Sequence, residues 1–226
     1  MLNPSDLLHT MVLVPVTLLP IINPLTAAPL FTMTAGGEPD AIRQLARQVA
    51  TNCWFVLVGS LFVGTYVLDL FDISLPIVRI GGGLLVAASA WRMLNRSDDD
   101  GVQEAIKRSQ RRVLSDAEVV KRSFFPITFP LTTGPGTIAA SIAIGAGMPR
   151  QPALYVANAL AVVLGATLTA AVIYLVYRNA PALLARLGEV GTLVMTRLMA
   201  FVLLCIGISF MWTGWAELNG ITGTVH

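Results

Sequence analysis

Apolar residues recur along this chain in blocks near the ~20 residues that a helix needs to cross a bilayer, separated by mostly short polar connections. The pattern predicts six spans, at 7–34, 42–68, 74–94, 123–147, 152–177 and 192–214, with the vaguest polar borders around the last two. Two of the blocks are interrupted from within. Pro24 stands mid-block in Ile22-Asn23-Pro24-Leu25-Thr26, and Pro135 in Thr132-Thr133-Gly134-Pro135-Gly136-Thr137. Proline removes a backbone donor and clashes with the preceding turn. A lipid-embedded helix tolerates such a break only where protein or a watered cavity satisfies the freed carbonyls. Interrupted spans at matching places in two halves point to the midplane solute site of a transporter.

Composition settles the class. With 55% hydrophobic and 12% charged residues and a mean hydropathy of +0.72, the chain is too apolar for a soluble domain of this length. The expected fold is an all-α membrane protein. No basic segment precedes the first apolar block and no small-residue cleavage site follows it cleanly, so the block is expected to remain as a span. Cys53 and Cys205 fall inside apolar blocks and His9 and His226 lie far apart, which predicts no metal site.

The net charge of +2 conceals an asymmetry. Twelve of fifteen Lys and Arg fall in or beside the connections 35–41, 95–122 and 178–191, Arg150 alone falls on the other side, and Arg79 and Arg197 lie within spans. The positive-inside rule then places both termini outside the cytoplasm, and the basic charge requires no nucleic acid to explain it. The long polar connection divides the chain into a first three-span repeat (1–95), a cytoplasmic linker (96–122) and a second three-span repeat (123–226). Within the linker, Ser115 and Glu118 have capping-box spacing for a short helix; a solvated linker and a headgroup or regulatory contact both fit it.

The halves repeat the same order of features. Pro24 precedes Gly36-Gly37 and Pro39 as Pro135 precedes Gly145-Ala146-Gly147 and Pro149, and Arg79 and Arg197 each stand near the start of a third span. An odd number of spans per half makes the repeat inverted, about a pseudo-two-fold axis in the membrane plane. Seven of thirteen prolines lie in spans one and four, so only these are expected to break. Freed carbonyls at a break accept from an ammonium or coordinate a cation, while the N-terminus of the next half-helix attracts a carboxylate. A small zwitterionic solute satisfies both. The nearby side chains Asn23, Thr26, Thr132, Thr133 and Thr137 are short and neutral, and with Pro24, Gly134, Pro135 and Gly136 they form the predicted binding set. The alternative is a pair of kinks that merely let helices pack.

An arginine inside a bilayer costs ~2.5–3.5 kcal/mol at mid-depth and less near an interface. Arg79 and Arg197 therefore need a role: snorkelling or bracing a helix pair, gating between the repeats, or holding a solute carboxylate. Asn52 and Asn158 fit interhelical hydrogen bonds as well as ligand contacts. Gly81, Gly82 and Gly83 allow close helix approach.

These boxes carry a resemblance. Asn23-Pro24-Leu25 with Pro29-Leu30-Phe31, the stretch Pro130 to Thr137 containing Gly134-Pro135-Gly136, and Arg79-Ile80-Gly81-Gly82 are together similar, in order and spacing over nearly the whole chain, to the MarC family, also grouped as small neutral amino acid transporters. The resemblance implies a multi-pass bacterial inner-membrane protein that moves alanine, glycine or similar solutes with a coupling ion. In one place the chain departs from the family: where a glutamine usually follows Ile-Gly-Val in the last span, it has Ile206-Gly207-Ile208-Ser209, and the shorter Ser209 bears on solute size and selectivity.

All thirteen Asp and Glu lie outside the span middles, which disfavours a carboxylate proton relay and favours sodium over a proton as coupling ion. No other cofactor is expected. The spans hold no paired carboxylates at helical spacing, and HExxH and GxSxG are absent, so an enzyme is not expected. A passive channel, an exporter of another small solute and a non-transporting scaffold stand as alternatives, and a homo-oligomer is left open.

Overall fold

The computed structural model describes residues 4–36, 38–95, 123–148 and 152–221. The predicted linker helix at Ser115–Glu118 and Arg150 lie outside the described residues. Every regular element among them is helical: α1 (Pro4–Ile22), α2 (Pro24–Ala35), α3 (Pro39–Leu70), α4 (Leu75–Leu94), a π-helical segment (Ser123–Thr132), α5 (Pro135–Ala146), α6 (Pro152–Arg178) and α7 (Ala180–Leu218). Proline opens α2, α3, α5 and α6, at the first helical position, where its missing N–H has no intrahelical partner to lose.

Among the described residues, α3, α4, α6 and α7 are long and apolar enough to cross a bilayer, and the pair α1–α2, bent by 59°, makes a fifth if it counts as one span. The fourth predicted span is divided instead between the π segment and α5, whose 12 residues are too few to cross alone. The sixth differs most from expectation. Helix α7 begins at Ala180 rather than near 192 and is kinked at Gly188.

The strongest packing joins the first half of the chain to the second. Helix α4 lies along α7, α1 along α6, and α3 against both α5 and α6. Small residues set the α4–α7 distance: a Cβ at Gly83 would fall 2.5 Å from the Gly207 carbonyl oxygen, and one at Gly214 2.5 Å from that of Pro76. Such backbone approach is how helices associate in lipid, where burial of apolar surface supplies no net drive. Gly82 meets Ala139 of α5 in the same way, whereas Gly81 faces open space.

Each end of this helix pair carries an arginine. Arg79, near the start of α4, forms an ion pair with Glu217 near the end of α7. Arg197 of α7 donates to the carbonyl of Leu94, the last residue of α4, satisfying an acceptor that a helix C-terminus leaves unpaired. Both arginines thus link α4 to α7. The buried core gathers Val14, Leu18 and Ile22 of α1, Ala28 and Phe31 of α2, Val49, Cys53, Leu57 and Leu61 of α3, and Val162, Ala166, Ile173 and Tyr177 of α6. Ile127 of the π segment and Ala140 of α5 join the same core, while Phe55, Tyr66, Leu164, Phe201 and Trp212 are exposed on the outer surface.

Candidate functional site

The first break is a single residue. Asn23 adopts left-handed backbone angles (φ 43°, ψ 63°), a conformation that asparagine tolerates better than other non-glycine residues. Its N–H closes α1 on the Leu19 carbonyl at 2.9 Å, and its carbonyl accepts from the Thr26 N–H at 3.2 Å to start α2. Both backbone groups of Asn23 are therefore satisfied. The side chains are not. Asn23 is only 7% exposed, and its Nδ2 and the Thr26 Oγ1 are buried without a hydrogen-bond partner. An unsatisfied buried polar group costs about 1–3 kcal/mol, and no side chain caps α2 to give the asparagine a structural duty.

The second break is built differently. The π segment turns with bonds five residues apart: the Thr133 N–H and Oγ1 both donate to the Thr128 carbonyl, at 2.7 and 2.9 Å, and Thr132 Oγ1 donates to Ile127 at 2.7 Å. These hydroxyls, both in the predicted binding set, donate to carbonyls of the π segment. Short π turns inside α-helices occur frequently at functional sites. Extended Gly134 (φ −74°, ψ 176°) then leads to exposed Pro135 at the first position of α5. A Cβ on Gly136 would fall 2.4 Å from Val86 Cγ2, so this glycine packs α5 onto α4. Buried Thr137 accepts from Ser141 Oγ at its carbonyl, at 2.8 Å.

The two interrupted stretches lie side by side, α2 against the π segment and α1 against α5. Tyr177, at the end of α6, connects them. Its ring stacks on Phe31 of α2, with centroids 4.5 Å apart and planes at 4°, and its hydroxyl lies 2.7 Å from Thr132 Oγ1. Because the single Thr132 proton goes to Ile127, the phenol is the donor. Sequence reasoning missed Tyr177: a tyrosine at the edge of an apolar block looks like an interfacial residue.

The remaining predicted residues lie on α3, α6 and α7. Asn158 accepts from Thr10 Oγ1 at 3.1 Å, tying α1 to α6, and its Nδ2 donates to Leu154. Asn52 is half-buried on α3, and Ser209 is exposed on α7, its carbonyl accepting from Thr213. A narrow cleft of about 10 Å³ opens beside Thr26, between the start of α2 and α7. That is room for about one water.

A helical bundle with apolar outer faces, built around a bent pair with unpartnered buried polar groups, is a polytopic integral membrane protein. Residues 8–219 match the MarC family of integral membrane proteins, to which the chain belongs. It is 34% identical over 206 residues to the inner membrane protein MarC of Escherichia coli strain K12, covering 90% of this chain and 92% of that one. The Shigella flexneri protein of the same name matches with the same identity and coverage. No solved structure matches the chain.

Proposed function

We propose that this protein is a secondary transporter of small neutral amino acids such as alanine or glycine, working by alternating access around a site at the two breaks. The observation that carries the reading is the pair of buried, unpartnered donors Asn23 Nδ2 and Thr26 Oγ1 at a helix break. Both suit a carboxylate, and the partial positive charge at the start of α2 favours the same group. The solute ammonium faces the second break, where backbone carbonyls near Gly134 and Pro135 accept from it.

The architecture of this reading is six spans in two inverted three-helix repeats, with α1–α2 and π–α5 as the broken pair. The reciprocal arginines support it: Arg79 reaches the far end of α7 and Arg197 the far end of α4, as an axis between the two helices requires. The basic connections orient both termini to the periplasm. A cleft with room for about one water cannot hold an amino acid, so this conformation is closed and α3, α4, α6 and α7 rock to open it. The coupling ion is sodium, held by carbonyls and hydroxyls, and no chemical step is catalysed.

Counterflow of labelled alanine and glycine in proteoliposomes, with and without sodium, tests the proposal. Saturable counterflow that Asn23→Ala and Thr26→Val impair is expected, with stimulation by sodium. Its absence in folded wild-type protein, or its persistence in both variants, overturns the solute or the site, respectively.

A further inference from the structure

The cleft beside Thr26 lies under a piece of chain that the apolar pattern did not foresee. The first two turns of α7, Ala180–Leu187, are set off from the rest by Gly188, whose backbone (φ 65°, ψ −177°) occupies a region open essentially to glycine alone. A Cβ there would meet nothing within 4 Å, so the glycine answers a backbone demand and not a packing one. Leu184 and Leu187 of this short arm, Leu25 and Thr26 of α2, and Met195 and Met199 beyond the kink enclose the space. With Thr192 and Thr196, the two methionines recur at the i, i+3, i+4, i+7 spacing that makes one stripe of a helix. The cleft is therefore apolar except for threonine hydroxyls, and the Thr26 hydroxyl on its α2 side is buried and unpartnered.

We infer that this cleft is the pocket for the solute's side chain, that Met195 and Met199 set the largest side chain accepted, and that the arm 180–187 swings about Gly188 to admit it. The inference rests on the transport reading above and adds the residues that determine specificity. A carboxylate held by Asn23 and Thr26 directs the α-substituent into the space beside them. Leucine and methionine side chains close tightly around the space, so a small α-substituent is accommodated with least displacement and a branched one requires the wall to yield. Unbranched thioethers make an adaptable wall, so shortening one enlarges the pocket without rebuilding the bundle.

The test measures uptake of labelled alanine, valine and leucine by wild type, Met195→Ala and Met199→Ala in proteoliposomes. A missing or extra methylene changes selectivity by roughly 10- to 200-fold in an apolar pocket, so truncating either methionine is expected to raise the valine-to-alanine ratio about tenfold or more. A second measurement does not depend on those variants folding. In a Cys205→Ser background, where Cys53 is buried, alanine is expected to protect Thr196→Cys from a membrane-permeant maleimide and leucine is not. Unchanged selectivity in active methionine variants, or equal labelling of Thr196→Cys with and without alanine in a protein that transports alanine, overturns the pocket while leaving transport standing. Wild type that moves no amino acid overturns both.

Discussion

Replacing Asn23 by glycine separates what this residue does for the fold from what it does for the solute. Its left-handed backbone strains any side chain, at about 1 kcal/mol or somewhat more, and its buried Nδ2 lacks a partner, at about 1–3 kcal/mol. Glycine removes both costs. Against this stand about 0.5–1 kcal/mol of extra chain entropy and the packing of a side chain that is only 7% exposed. The balance is a protein about 1 kcal/mol more stable than wild type, or about 2–4 °C in melting temperature for a chain of this size. Transport moves the other way. A hydrogen bond to a charged group contributes about 1.5–3 kcal/mol, so its loss weakens solute binding by roughly tenfold or more. Thermal unfolding in detergent and the half-saturation of alanine counterflow measure the two effects on one sample. A variant destabilised by more than about 2 kcal/mol would mean that the amide supports the fold; a stable variant with unchanged half-saturation would remove Asn23 from the site.

Three further outcomes follow from the packing. Gly207→Ala places a Cβ 2.6 Å from the Ala87 amide nitrogen and 2.7 Å from the Gly83 carbonyl oxygen, and backbone cannot rotate away, so a loss of about 1–3 kcal/mol is expected; an unchanged melting temperature would show that α4 and α7 separate freely. Glu217→Gln breaks the ion pair with Arg79, but the partners are 24% and 41% exposed, so after screening a loss below about 1 kcal/mol is expected in the same melting assay, and a larger one would make this contact a principal brace. Tyr177→Phe keeps the stack on Phe31 and leaves Thr132 bonded to Ile127; a loss of about 1 kcal/mol is expected, and one above about 3 kcal/mol would assign the hydroxyl a wider role.

The helix breaks were legible because proline acts locally. Pro24 and Pro135 open α2 and α5, since a residue without an N–H and with fixed φ begins a helix more readily than it continues one. The start of α7 was not legible. Ala180–Leu187 carries Arg186 and follows Arg178 and Asn179, so its polar residues read as a connection, whereas its leucines pack on α2. In the π segment, Pro126 and Pro130 announced a break but not its form, which ends with threonine hydroxyls reaching back five residues to Ile127 and Thr128. Arg79 and Arg197 were recognisable as residues needing partners, but Glu217 and Leu94 lie more than a hundred positions away, beyond the reach of any local pattern. At the breaks, sequence identified the short polar residues without separating the unpartnered from the sealed. Asn23 and Thr132 look alike as amide and hydroxyl beside a break; only the geometry gives one a carbonyl and leaves the other without one.

The interlocking of the two halves bears on how the protein is made. Helix α4 leaves the ribosome with its glycine face bare, and the surfaces that fit it belong to α5 and α7, the latter synthesised about a hundred residues later. Until α5 is made Gly82 lacks Ala139, and until α7 is made Gly83 lacks Gly207 and Arg79 lacks Glu217. The first half therefore cannot complete its own packing: α4 finds its partner surfaces only once α5 and α7 have been made.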